Sequence, residues 1–327
     1  MRRALLCIPG LFPARSAPLA GSDFPGPALH RLLARSVRSA RLCASPEALL
    51  CSLFGVTPAP DLPVGALTFL GGGGDPGASH WLRADPVHLR AEQGALILVS
   101  TRHLQVSLEE ARALTAALNR HFAADGLQFI VQHAQRWHAR LPRPMHLVTR
   151  APSEADGCSI DPLLPTGADA MTAHRWANEA QMLLHAHPVN EAREARGELP
   201  LNSLWWWGAG GLPVPSACPH AAGWGDDPLL GGLCRWSSIP IHPPPASAVE
   251  WLQQAGDGSH VAVLSCPPDI LEQAWFAPLL AALRRRELPE LTLLVLHAGQ
   301  VVSFALSSSD LWKFWRRATG LTRAAHA

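Results

Sequence analysis

Two unbroken apolar runs, Ala4–Ile8 near the start of the chain and Val261–Ser265 far along it, constrain the fold most. A strand with one wet face alternates apolar and polar residues, whereas a run without alternation is buried on both faces. Both runs therefore read as buried strands. Helical patterns lie between and after them, at Glu47–Phe54, Ser107–Phe122, Ala168–His185, Ala246–Gln254 and Asp269–Arg286. Further strands are expected at Leu291–Leu296 and Val301–Leu306. Strands interleaved with helices mean an α/β architecture.

The middle of the chain reads as α+β. Strands are expected at Ala66–Leu70, Val87–Arg90, Ala95–Val99, Leu127–Val131 and Arg136–Leu141. Ser107 with Glu110 three residues later is a capping box for the helix that follows. Leu204–Trp207 reads as a strand stopped by Gly208, Gly210 and Gly211. Leu29–Leu42 reads as one amphipathic helix whose basic face carries Arg31, Arg35, Arg38 and Arg41. Residues 216–245 are rich in Pro and Gly. A last helix is expected from Ser309, carrying Trp312, Trp315, Arg316 and Arg317. The division that follows is an N-terminal part of the α/β core over 1–64, an inserted α+β domain over 65–150, and a return to the core over 151–327.

Charge and cysteine usage exclude several classes. With 27 basic and 26 acidic residues the chain lacks the basic excess that broad nucleic-acid binding needs. The basic residues are Arg apart from Lys313, and Arg is the better bidentate partner of carboxylate and phosphate. The seven Cys form no C-x-x-C pair, which argues against a disulfide framework or zinc ribbon and for reduced cytoplasmic thiols. No apolar stretch is long enough to span a membrane. Met1-Arg2-Arg3 and the following apolar run resemble a signal peptide, but Pro9-Gly10 breaks the run, and a strand ending in a turn is the expected reading.

Chemical motifs are sparse. Gly71–Gly74 is followed by Asp75-Pro76 and not by the Lys of a phosphate loop, so it reads as a turn. There is no G-x-S-x-G elbow. His185-x-His187 and Cys218-x-His220 are isolated pairs with no second pair at metal-ligand spacing. Two segments are denser. Trp81 to Arg90 packs Arg83, Asp85, His88 and Arg90 around one Pro, a set suited to a phosphorylated or carboxylated ligand. His187 to Pro213 offers Asn190, Arg193, Arg196, Asn202 and three Trp before a glycine-rich strand end, where backbone N–H groups at Gly208 and Gly210 can approach an anion.

HPVNEAREARGELPLNSLWWWGAGGLP, from His187, resembles a stretch of the archaeal-type cofactor-independent phosphoglycerate mutases. SLEEARAL from Ser107, DPLLPTGADA from Asp161 and WLRADPVHL from Trp81 resemble further segments of that family. WLRADPVHLRA together with NEAQMLLHAHPVNEAREARG is similar to the proteobacterial regulatory protein RpfE family. The resemblance covers about residues 45–213 and implies an alkaline-phosphatase-like α/β core with an inserted α+β domain, two divalent metals and a Ser nucleophile. It implies a ligand pocket at Arg83, Asp85, His88, Arg90, Asn190, Arg193, Asn202, Trp205, Gly208 and Gly210, with Arg83 and Arg193 converging. The metal ligands depart from the pattern. The first strand ends in Pro9-Gly10 where the family has Asp-Gly, PEALLCSLFG from Pro46 stands where the family has its nucleophile, and the late metal segment retains His297 alone.

The expected function is a degenerate, non-catalytic mutase relative with a regulatory or phosphometabolite-sensing role and no metal or other cofactor. Two alternatives stand beside it. One is an active mutase or phosphatase using Mn or Mg on unconventional ligands drawn from His80, His88, His185, His187 and Asp161. The other is a protein- or nucleic-acid-binding scaffold built on the Arg31–Arg41 face, Arg284–Arg286 and the Trp312/Trp315 helix. The partners expected are a phosphorylated carboxylate metabolite and a protein docking through that last helix, with no membrane and no nucleic acid.

Overall fold

The computed structural model describes residues 1–9, 11, 26–43, 45–92, 94–297 and 299–313. The chain divides into two compact units, one formed by Met1–Phe54 with Ser216–Ala327 and one by Gly55–Pro215. The insert therefore begins near Gly55 and runs to Pro215, beyond the 65–150 read from sequence. The reason is pairing across distance: β7 (Ser203–Gly210) hydrogen-bonds antiparallel to β3 (Trp81–Glu92), which ties residues past 150 into the inserted sheet.

The first unit contains β1 (Arg2–Cys7), α1 (Pro27–Arg35), β2 (Val37–Leu42) and α2 (Pro46–Leu53). After the insert come β8 (Ala222–Trp224), α8 (Pro228–Trp236), β9 (Ile241–His242), α9 (Ala248–Gln254) and β10 (Gly258–Val263). The short α10 (Pro268–Ile270) runs into a π-helical turn over Leu271–Phe276 and then α11 (Ala277–Arg284). β11 (Glu290–His297), β12 (Gln300–Ser307) and a 3-10 turn over Ser308–Trp312 complete it. The seven-stranded sheet runs β2-β12-β11-β1-β10-β8-β9. β1 lies parallel between β10 and β11, while β12 and β2 add an antiparallel edge. Leu6, Leu29, Trp251, Trp275, Leu293 and Phe304 belong to one buried core.

The second unit holds α3 (Val64–Gly71), β3, β4 (Ala95–Val99), α4 (Leu108–His121), β5 (Gln128–His133) and β6 (Arg136–Arg140). α5 (Pro152–Ala155), α6 (Ala170–His185), α7 (Pro188–Ala195) and β7 follow. Its sheet runs β4-β3-β6-β5, with β7 also on β3. Leu114, Phe122, Trp137, Trp176 and Trp206 are central to a second core. No helix among the described residues is long and apolar enough to cross a membrane.

Two expectations about elements are corrected. Leu29–Leu42 is not one helix: α1 stops at Ser36, and Arg38 and Arg41 lie on the edge strand β2. Ala66–Leu70 is helical, inside α3. The Pro/Gly-rich stretch 216–245 contains α8, whose Pro stands at the first helical turn, where a missing N–H costs nothing. α6 ends at His185, before His187-Pro188, and Pro188 opens the separate helix α7 with His187 as its cap. From Ser308 the chain makes a 3-10 turn ending at Trp312; Trp315, Arg316 and Arg317 lie outside the described residues, as do Gly10 and Arg15.

Candidate functional site

In a parallel α/β sheet, ligands bind beyond the carboxyl ends of the strands. Those ends in the first unit bring together Cys7, Ile8 and Pro9 after β1, Val263 of β10, Leu294 and Leu296 of β11, Asp227 at the start of α8, and Pro46, Leu49 and Leu50 of α2. They enclose about 30 Å³, close to the share of one liquid water. Asp227 is the sole carboxylate in this lining, and its Oδ1 caps α8 by accepting the N–H groups of Leu229 and Leu230 at 2.8 and 3.0 Å. Burial, with the Asp227 charge, pushes the Cys7 thiol up to about 12, so it stays protonated near neutrality. Ser45 is the N-cap of α2, its hydroxyl accepting the Ala48 N–H at 3.2 Å. Two divalent ions need about five or six oxygen or imidazole donors. One carboxylate already committed to a helix does not fit that group.

The dense segments fold within the second unit. On β3, Arg83 and Asp85 are both buried and paired, Nη2 to Oδ1 at 2.6 Å and Nε to Oδ1 at 3.1 Å. Trp207 Nε1 donates to the other oxygen of Asp85 at 2.8 Å, and the Arg83 guanidinium lies 5.2 Å from the Trp207 ring centroid. Two β7 residues opposite β3 thus complete the cluster, Trp207 facing Arg83 and Trp205 facing Asp85 in the register. Beside it, the Thr68 hydroxyl donates to Val64 O at 2.6 Å and so accepts from His138 Nε2 at 3.0 Å. That leaves His138 Nδ1 bare, buried and without a partner, and burial with the nearby Arg83 and Arg136 charges holds its pKa well below the usual range.

Most of the remaining residues of the set hold backbone groups. His88 Nδ1 lies 3.0 Å from Pro200 O, and Arg90 pairs with Glu92 at the surface. Asn202 bridges both polar backbone groups of Leu89, at 2.7 and 2.9 Å. Asn190 donates to Leu184 O and Leu201 O and accepts from Leu201 N. Arg193 donates from Nε to Leu199 O and from Nη1 to Gln105 O and Glu110 Oε2. Glu110 is the capping-box residue of α4 and also accepts from Arg196. Burial raises the Glu110 carboxyl, but the Ser107 N–H and the two Arg side chains outweigh it and hold its pKa below the ordinary value. Arg83 and Arg193 share no hydrogen-bond partner, so the expected convergence is not seen in their contacts.

The glycine-rich strand end is occupied from within. Gly208 has φ +69, and a Cβ there would lie 2.7 Å from Val64 Cβ. Its N–H donates to Thr149 Oγ1 at 2.8 Å, and the next N–H, of Ala209, donates to Asp61 Oδ2 at 3.3 Å. At Gly210 a Cβ would lie 2.8 Å from Pro63 Cβ. Trp205 Nε1 donates to Arg150 O at 2.8 Å. The anion that the strand end attracts is therefore Asp61, which sequence reasoning missed. Apart from the adjacent Leu62 N–H, its partners Thr149 and Ala209 are 88 and 148 positions away, so the local sequence does not mark it.

The metal pairs are likewise absorbed. His187 Nδ1 accepts from Val189 N, and both ring nitrogens of His220 are held, by Ser259 and Leu53 O. His185 ends α6, Asp161 opens a 3-10 turn, and burial keeps His80 below its ordinary pKa. Among the described residues no three His, Cys, Asp or Glu side chains are grouped to hold a metal ion.

Comparison with known proteins turns on the insert. Residues 66–190 match the model of the 2,3-bisphosphoglycerate-independent phosphoglycerate mutase family. A probable mutase of this kind from Geobacter sulfurreducens is 28% identical over 135 residues, 40% of this chain and 33% of that protein. The Methanosarcina mazei mutase is 29% identical over 139 residues, 40% of this chain and 34% of the relative. The chain thus spans about a third of the length of the curated relatives it matches. Among solved structures, a cofactor-independent phosphoglycerate mutase from Thermoplasma acidophilum aligns over 99% of this chain and 95% of its own. The TM-score is 0.50 and the identity 18%. A Pyrococcus horikoshii protein aligns over 94% and 87%, with TM-score 0.54 and identity 16%. The chain is related to the cofactor-independent phosphoglycerate mutases, and its α/β fold is like that of the solved mutase. The matched residues all lie in the inserted unit, whereas the structural likeness extends over both.

Proposed function

We propose that this chain is a phosphoglycerate-mutase homologue that works without catalysis, as a regulatory or phosphometabolite-sensing protein of the RpfE kind in the cytoplasm. The observation that carries the reading is the closed crevice of the core sheet. Where two metals and a nucleophile would sit, apolar side chains surround about 30 Å³ and a single carboxylate caps a helix. Phosphoryl transfer is accelerated mainly by positioning and by cations that neutralise developing charge. Among the described residues, the one helix-capping carboxylate of this lining is too few to hold those cations.

The test is a coupled assay converting 3-phosphoglycerate to 2-phosphoglycerate, with Mn²⁺ and with chelator, next to calorimetric titration of 3-phosphoglycerate. The expected result is no turnover above background in either condition, and heat of binding that Mn²⁺ does not alter. Turnover that appears with Mn²⁺ and disappears with chelator overturns the reading. Absence of any binding heat removes 3-phosphoglycerate as the sensed metabolite.

A further inference from the structure

The first unit carries a second cavity that shares no residue with the crevice. It measures about 350 Å³ and is lined by Arg31, Arg35, Arg284 and Arg286, with Ser308 and Trp312 among the other residues. Three elements build it. Leu29, Leu32 and Leu33 of α1 face the core, as do Leu279 and Leu283 of α11. One turn apart, Arg31 and Arg35 share the outer face of α1. Arg284 is the last residue of α11, and Arg286 follows with φ +58, a left-handed conformation that glycine adopts far more cheaply. The 3-10 turn closes the third side, and the Arg35 guanidinium donates to Leu311 O.

Among the described residues no carboxylate lines this cavity. The acids of the neighbouring segments are committed elsewhere: Glu272 caps the start of α1, Glu287 pairs with Arg285, and Asp310 with Lys313. Four guanidiniums line about 350 Å³ with no carboxylate among the described lining residues, so an anion entering it would meet several charged donors. Interaction with helix C-termini accounts for Arg35 and Arg284. It does not account for Arg31, in the middle of a helix, or for Arg286, beyond the end of one. The indole of Trp312 stands 73% exposed at the same cavity, a flat apolar surface on which a base can stack.

We infer that this cavity binds a nucleotide bearing two or more phosphoryl groups, its phosphates on Arg31, Arg284 and Arg286 and its base against Trp312. Volume, charge and aromatic surface agree with a ligand of that size. The inference does not depend on whether the strand-end crevice is catalytic, because the two cavities have no lining residue in common.

The experiment is calorimetric titration of the full chain with ADP, with pyrophosphate, and with oligonucleotides of increasing length. ADP is expected to bind at one site per chain, at least tenfold more tightly than pyrophosphate. Arg31→Ala with Arg284→Ala should weaken both ligands at least tenfold while leaving the thermal midpoint unchanged, since both side chains are exposed. Trp312→Ala should weaken ADP and leave pyrophosphate unaltered. Equal affinity for ADP and pyrophosphate, no response to the arginine substitutions, or affinity that climbs with oligonucleotide length each overturns it. A 3-phosphoglycerate titration of the same double variant separates the two readings, because 3-phosphoglycerate bound anywhere outside this cavity would survive the arginine changes.

Discussion

Arg193 is 1% exposed, yet it carries a permanent charge. Such a group is tolerated only when its donors are met, and here two carbonyls and the Glu110 carboxylate meet them. Replacing it with Ala frees Leu199 O and Gln105 O and removes one of the two arginine ties from α7 and its C-cap to Glu110, leaving that of Arg196. Arg193→Ala should therefore lower stability by about 3 kcal/mol, the lower end for breaking a buried ion pair. The midpoint of urea unfolding followed by Trp fluorescence measures this; a loss under about 1 kcal/mol would mean that the network acts as a surface pair does. The sequence marked Asn190, Arg193 and Asn202 as unusual and was ambiguous about why. Polar side chains gathered between apolar runs serve a ligand or serve buried backbone, and both leave one pattern in sequence. The capping box of Ser107 and Glu110 was legible because its partners are three residues apart. That Glu110 also holds Arg193 was not, because 83 residues separate them.

At the scale of elements, the misread segment is α3. Val64 to Phe69 are all buried, so the helix shows no polar stripe, and a short apolar run is equally a strand or a buried helix. Close approach to the sheet explains this burial. A Cβ on Gly65 would lie 2.5 Å from the Leu82 Cα of β3, so helix and strand meet backbone to backbone. In an exposed helix, Gly→Ala stabilises by about 1 kcal/mol. Here the sign should reverse, with Gly65→Ala costing about 1–3 kcal/mol as the helix is pushed off the strand. Comparing its urea midpoint with the parent chain decides the matter, and an unchanged or raised midpoint would show that α3 can shift without loss. The boundary between α1 and β2 was hidden for a related reason. Arginines at 31, 35, 38 and 41 keep helical spacing across Ser36, but the last two sit on an exposed edge strand, where charge discourages pairing with other chains. Strands β4, β11 and β12, which consist of short β-branched or apolar runs between turns, were readable within a residue or two.

The alternation of buried strands and helices was enough to indicate α/β for the whole molecule, since neighbouring residues encode it. The extent of the insert was not, because Asp85 and Trp205 face each other across 120 positions and no local pattern announces such a pair. The two units also differ in continuity. Gly55–Pro215 is one stretch with its own buried core, whereas the other unit draws on both ends of the chain. In that unit β1 is central: residues Arg2–Cys7 pair with β10 and Arg3–Cys7 with β11. Without it, two buried apolar strands would present open edges, the arrangement most prone to wrong pairing. Expressed alone, residues 55–215 should be soluble and unfold cooperatively in urea. Residues 216–327 alone should aggregate or show no cooperative transition, and adding residues 1–54 as a separate chain should restore one. A cooperative transition from 216–327 by itself would mean that the sheet closes without its central strand, and the first unit would then have to be regarded as complete in its C-terminal part.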